Sequence, residues 1–376
     1  MSSLASRIFG RFGLSVFVLF AAPVLATDLG IQRGGIEQMQ GLGFDPDSSA
    51  ARYLHMNPEE RKAAFSREVK AIRIAEQFGL GYLPLMVVRQ RALIEKHARA
   101  AYLGDLDVTW VRYPSGEAMN NALRFGLLDF ASGGVPPLLK IWDETRGDFG
   151  VRGVAPLAAV PMYLNVNKPQ LKSLKDLGEK GVIAVPSKEI SSQAITLQMA
   201  AARIYGRRAY DHLDGLMVTM SHPDAMRALL AGSVTGHFGS PPYQYEELEA
   251  PQIHTLLNSY EVLGGPATMT TLWARSVFCD TNPKTCQALV DALSEAMDFI
   301  AGDPLGAAEI YVVHTHSSLP VAQVEEMIRR PEIRYSLTPL RTLEYARFLY
   351  ETGRLKDLPR DWREVFMPLL DVEGGS

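Results

Sequence analysis

From Val69 onward the chain repeats one local theme: a short apolar run, a turn rich in glycine, serine or proline, then an amphipathic helix. "VKAIRIAEQ" passes through "FGLGYLP" into "LPLMVVRQRALIEKHA", "LDVTWVRY" into "PSGEAMNNALRFG", and "LLDFAS" into "GGVPPLLKIWDE". A strand that returns through a helix lies parallel to the next strand, so the theme predicts an open parallel α/β sheet. The theme stops at "VRGVAPLAAVPMYLNVN", residues 151–167, which is extended throughout. It then restarts: "VIAVP" leads to "SKEISSQAITLQMAAARIYG", "GLMVTM" to "SHPDAMRALLAG", and "SVTGHFGS" to "PPYQYEELEA". A second long stretch, residues 253–276, reads as extended and glycine-interrupted, and the remainder is mostly helical. The expected fold is therefore α/β with two lobes, joined by two crossing segments that form a hinge, and a helical C-terminal tail. A chain of 376 residues suits about two such lobes. Ligands of open parallel sheets bind beyond the carboxyl ends of the strands, so the loops after each strand should face the cleft between the lobes.

Local chemistry supports this reading. Ser115 is placed to cap the helix carrying Ala118, Met119, Ala122 and Leu123, and Gly126 to end it. The helix "NPKTCQALVDALSEAMDFIAGD" should open with Asn282 as cap and Pro283 at its first position, with Leu289, Leu293, Met297 and Ile300 on its buried face. In "FASGGVPPLL" the run ends in Ser132-Gly133-Gly134, and prolines at 136 and 137 remove two amide donors. That stretch reads either as a strand-to-helix turn or as a binding loop.

Arg7 and Arg11 precede the apolar run "GLSVFVLFAAPVLA", which ends at Val24 and Ala26. This is the order of a secretory signal, and a run of about 14 residues is short of the roughly 20 that span a bilayer. Cleavage after Ala26 is expected, with no cysteine there for lipid attachment, giving a free periplasmic protein. The boundaries read as a signal peptide at 1–26, an N-terminal arm at 27–68 and the first part of lobe one at 69–160. Lobe two follows at 161–258, then the return crossing and the lobe-one C-terminal helices at 259–376. The formal net charge of −4 gives no electrostatic reason for nucleic acid as a partner. The two cysteines, Cys279 and Cys286, are expected to form a disulfide in that oxidising compartment, since Asn282-Pro283 would start a helix that brings Cys286 back towards Cys279.

The segments "LPLMVVRQRALIEKHA", "VTWVRYPSGEAMNNALRFGLLDFASGGVPPLLKIWDETRG", "NPKTCQALVDALSEAMDFI" and "PEIRYSLTP" closely resemble the substrate-binding proteins of ABC importers of the nitrate, sulfonate and taurine group. The likeness runs from about Val69 to about Leu370, with "G-x-x-DFASGG-x-PPLL" its most distinctive block. The resemblance implies a type II periplasmic-binding-protein fold and a monomer that closes on one small anionic or zwitterionic organic solute. It implies delivery to an ABC permease in the inner membrane, with no cofactor. Carried over loop by loop, it places Gly81, Tyr82, Ser115, Gly116, Ser132 and Gly133 of lobe one at the ligand. In lobe two it places Ser187, Ser191, Ser192, Ser240 and Tyr243 there. Ser132 and Ser192 are expected to matter most, Arg112 or Arg152 to supply charge, and Tyr82 or Trp142 to stack on any flat ligand.

Other chemistries find little support. His314 and His316 are the closest histidine pair and lack a third ligand nearby, so no metal site is expected. No H-E-x-x-H, C-x-x-C, G-x-x-x-x-G-K-[ST] or G-x-S-x-G motif is present. Two alternatives remain on the same fold: a pyrimidine-precursor synthase, which the export signal and the scattered His and Cys oppose, and the ligand-binding input of a membrane sensor.

Overall fold

The computed structural model describes residues 68–146, 150–178 and 181–376. The expected signal peptide and arm, up to residue 67, lie outside the described residues.

The first half of lobe one runs β1 (Ala71–Glu76), α1 (Leu83–Gln90), α2 (Leu93–Ala100), β2 (Asp107–Arg112), α3 (Gly116–Arg124), β3 (Phe130–Gly133), α4 (Val135–Glu144) and β4 (Val151–Ala159). Lobe two follows with β5 (Tyr163–Val166), β6 (Ile183–Val185), α5 (Ser192–Tyr205), β7 (Met217–Thr219), α6 (His222–Leu230), β8 (Gly236–Gly239), α7 (Tyr243–Glu247) and β9 (His254–Asn258). The chain returns through α8 (Ser259–Leu263) and β10 (Thr268–Arg275). It ends in α9 (Ser276–Thr281), α10 (Pro283–Gly302), α11 (Pro304–Thr315), α12 (Val321–Ile328) and α13 (Thr342–Glu351).

The sheets have matching plans, β2-β1-β3-β10-β4 and β7-β6-β8-β5-β9. Three strands of each are parallel, as the strand-helix theme requires, and the fourth in each order is antiparallel to both its neighbours. In the first sheet that fourth strand is β10, with Leu272 beside Ser132. The return crossing thus closes the sheet it left, and both sheets aim their carboxyl ends at the space between them.

Several local readings hold. Ser115 accepts a hydrogen bond from the Ala118 amide at 3.2 Å, Gly126 takes a left-handed φ of 67°, and Leu289, Leu293, Met297 and Ile300 are buried. Two hold only in part. Residues 253–276 are not extended throughout, because Asn258 caps the short helix α8 by accepting from the Tyr260 amide. Asn282 does hold the cap position of α10, with Pro283 next, but its side chain bonds no amide of that helix: its Oδ1 accepts from the Val69 amide at 2.8 Å and its Nδ2 donates to the Phe278 carbonyl. Its side chain ties the start of β1 to the α9–α10 corner. Cys279 and Cys286 form a disulfide across that corner, with Cα atoms 5.6 Å apart.

Candidate ligand-binding cleft

Four helix N-termini converge between the sheets, two from each lobe. Ser115 caps α3, Gly134 precedes α4, Ser191 caps α5 by accepting from the Ala194 amide at 3.2 Å, and His222 is the first residue of α6 behind its cap Ser221. The first-turn amides of a helix have no partners within it and carry the positive end of its dipole, so four such ends favour an acidic group among them. Gln77 and Phe78 from the end of β1, Tyr82 and Met269 complete the lining. The space left is about 30 Å³, room for little more than a water molecule, so the lobes stand closed on one another.

Direct contacts hold that closure. The Ser187 hydroxyl of lobe two donates to Glu117 of lobe one at 2.6 Å, and the Leu80 amide of lobe one donates to the Pro241 carbonyl of lobe two at 2.8 Å. Gly79 makes the second approach possible: its φ is 107°, and a Cβ there would lie 2.8 Å from the Pro241 oxygen. Ser192 comes against Gly134, and its buried hydroxyl finds no hydrogen-bond partner. The Tyr345 hydroxyl beside it pairs with Thr196 at 3.0 Å and keeps capacity for a second bond.

Of the residues expected at the ligand, Tyr82, Ser115, Gly116, Ser187, Ser191 and Ser192 line this space, and Gly81, Ser132, Gly133, Ser240 and Tyr243 do not. Ser132 is fully buried and donates its hydroxyl to the Ala75 carbonyl at 2.5 Å, tying β3 to β1. Gly133 is glycine because Trp273 of β10 packs on it, and an added Cβ would sit 2.9 Å from the indole. The Gly81 carbonyl accepts from Thr270 at 2.7 Å. Ser240 lies within lobe two, 3.3 Å from His222 Nε2, and Tyr243 stacks on the same imidazole with ring centres 5.7 Å apart.

The expected cations are also elsewhere. Arg112 pairs with buried Glu76 at 3.0 Å and lies over Phe78. Arg152 donates to the Glu364 carbonyl at the far side of lobe one, as does the Trp142 indole, so Trp142 is no stacking platform in the cleft. His314 is not an exposed histidine but a second partner of Glu76, at 3.0 Å. Burial alone would raise the Glu76 carboxyl, yet His314 and Arg112 outweigh it and hold the group below its ordinary range.

Residues the sequence reading passed over include Gln77, Glu117, Gln193 and His222. Glu117 and Gln193 directly follow lining residues that were chosen, and His222 opens the one loop of the repeating theme from which nothing was taken. Behind His222 runs a buried chain: its Nδ1 lies 2.9 Å from His237 Nε2, and His237 Nδ1 meets the fully buried Glu247 carboxylate. Among the described residues no group of three or more His, Cys, Asp or Glu side chains is arranged to hold a metal.

The model of the NMT1-like family matches residues 66–313, which contain both sheets and every residue of the cleft. The chain belongs to the NMT1-like family. Solved structures similar to this NMT1-like chain agree on the fold. The alkanesulfonate-binding protein SsuA from Xanthomonas axonopodis pv. citri, bound to MOPS, aligns with a TM-score of 0.62 at 21% identity, over 80% of this chain and 98% of that one. The periplasmic aliphatic sulphonate binding protein SsuA from Escherichia coli gives 0.57 at 18% identity, over 82% and 96%. The periplasmic nitrate-binding protein NrtA from Synechocystis PCC 6803 gives 0.60 at 14% identity, over 77% and 83%. Among curated proteins none matches the chain by sequence. The two-lobed periplasmic-binding fold is thereby established; no described helix is long and apolar enough to cross a membrane.

Proposed function

We propose that this protein is a periplasmic solute receptor of an ABC importer, closing its lobes on one small organic solute that carries an acidic group and handing the closed form to a permease. The observation that carries the reading is the cleft itself, where helix N-termini from both lobes meet around a space bridged by Glu117 and Ser187. A solute touching both rims stabilises the closed state over the open one, which is all a two-state hinge needs to report occupancy. The structural likeness to sulfonate- and nitrate-binding proteins supports the same reading.

The test is a thermal-denaturation screen against sulfonates, nitrate, carboxylates and pyrimidines. At least one class should raise the melting temperature in a concentration-dependent way without being turned over. No shift with any of them would contradict the proposal.

A further inference from the structure

A second space lies between lobe two and α12, apart from the cleft. It measures about 290 Å³, against about 30 Å³ in the cleft, and among the described residues the two linings have no member in common. Small-molecule sites begin at roughly 300 Å³, so this one has room for a small organic ligand. One wall belongs to lobe two: Tyr163 at the start of β5, Tyr245 of α7, and Leu248 and Glu249 just beyond α7. The other is one face of α12, where Gln323, Glu326 and Met327 recur at helical spacing and Arg330 continues the row past the helix end.

The space is tied across at both ends. At one, the Gln323 amide donates to Glu249 Oε1. At the other, the Arg330 guanidinium lies 4.3 Å over the Tyr245 ring and 3.6 Å from the Glu332 carboxylate. Arg330 is therefore committed to that ring and that carboxylate. The lining carboxylates are not committed in this way. Glu249 keeps Oε2 free, and among the described residues the exposed Glu326 side chain has no hydrogen-bond or ion-pair partner.

The aromatic wall suits a cation as well as the carboxylates do. Tyr163 and Tyr245 stand at 83° to one another with ring centres 5.8 Å apart, which makes a corner. The electron-rich faces of such rings attract ammonium and guanidinium groups, and the Arg330 stack shows this wall already holding one. Leu248 and the buried Met327 add apolar surface for methyl or methylene groups. A small anion would face two carboxylates here, and a purely apolar molecule would strip them of water without replacing it.

We infer that this space is a second ligand site, separate from the cleft, for a small alkylammonium ion, with Glu249 and Glu326 countering its charge and Tyr163 and Tyr245 supplying ring faces. The ion is free rather than the headgroup of a lipid, because a headgroup brings a phosphate that the two carboxylates repel.

Calorimetric titration with choline chloride tests it. The comparison ligands are 3,3-dimethylbutan-1-ol, which has carbon in place of the charged nitrogen, and phosphocholine, which adds the headgroup phosphate. Choline should bind saturably in the millimolar range, at least ten times more tightly than either. Glu249→Gln combined with Glu326→Gln, both changes on exposed side chains, should weaken choline at least tenfold. In protein labelled with carbon-13 at its methionine methyls, the Met327 signal, assigned with Met327→Leu, should shift on titration. Met269 lines the cleft, so a shift confined to Met269 would put choline there instead. That outcome overturns the inference. So does an absence of choline binding, equal binding of either comparison ligand, or undiminished affinity in the double variant. None of these results counts against the solute-receptor reading, which depends on the cleft.

Discussion

Gly134 of lobe one and Ser192 of lobe two meet so closely that a methyl group on Gly134 would overlap the Ser192 hydroxyl. The two residues stand at the N-termini of α4 and α5, so the contact is a direct gauge of lobe closure. Gly134 has a φ of −69°, which alanine adopts without strain, so Gly134→Ala perturbs the interlobe contact and little else. Its Cβ would stand 3.4 Å from Ser192 Cβ, an ordinary contact, so only the hydroxyl obstructs. Gly134→Ala should therefore weaken solute binding about tenfold or more, roughly 1.4 kcal/mol, and Ser192→Ala in the same chain should restore closure. Small-angle scattering with and without solute checks this; a compact Gly134→Ala protein would refute it.

Ser132 is the site residue most changed by its surroundings. Its hydroxyl serves the Ala75 carbonyl inside the sheet, so Ser132→Ala should cost stability, about 1 kcal/mol. Affinity should stay as it is in the unsubstituted protein. Paired urea melts and titrations separate the two effects, and a large affinity loss at unchanged stability would put Ser132 at the ligand after all.

Glu246 gives the protein a pH signature. Burial first, then Glu249 and Glu247, push its carboxyl up from 4.5 to about 7. Between those values the native state holds a proton that the unfolded chain has released, so stability falls as pH rises through the window. The penalty is absent below the lower value and complete above the upper one. Urea midpoints of the protein and Glu246→Gln should diverge across the window, the variant gaining relative to the unsubstituted chain. A constant difference from pH 4 to pH 8 would contradict the assignment.

The Cys279–Cys286 bridge closes a short loop, with a sequence separation of 7. The chain-entropy account gives such a loop about 2 to 3 kcal/mol. Reduction, or replacement of both cysteines by serine, should lower the melting temperature without altering affinity, because the corner lies at the start of α10 and outside the cleft lining.

What was legible in the sequence was local. The strand-turn-helix theme, the Ser115 cap and the α10 face all depend on residues within a turn or two of one another, and each is where the spacing puts it. What was not legible depends on partners far along the chain. Ser132 looks like a binding serine until Ala75, 57 residues away, takes its hydroxyl. The Asn282 side chain looks like a helix cap until Val69 does the same with its amide oxygen. Gly133 and Gly134 read as one turn, yet Trp273 requires the first and Ser192 the second. Arg112 looked available for an anion until Glu76 and Phe78 engaged it.

Native mass spectrometry of the protein, isolated and then exposed to a metabolite extract, tests most directly whether one small solute is held between the lobes. The expected result is a single one-to-one small-molecule adduct, released on unfolding and diminished in Gly134→Ala. A chain that carries no adduct before or after exposure, or one that keeps it undiminished in Gly134→Ala, would contradict it.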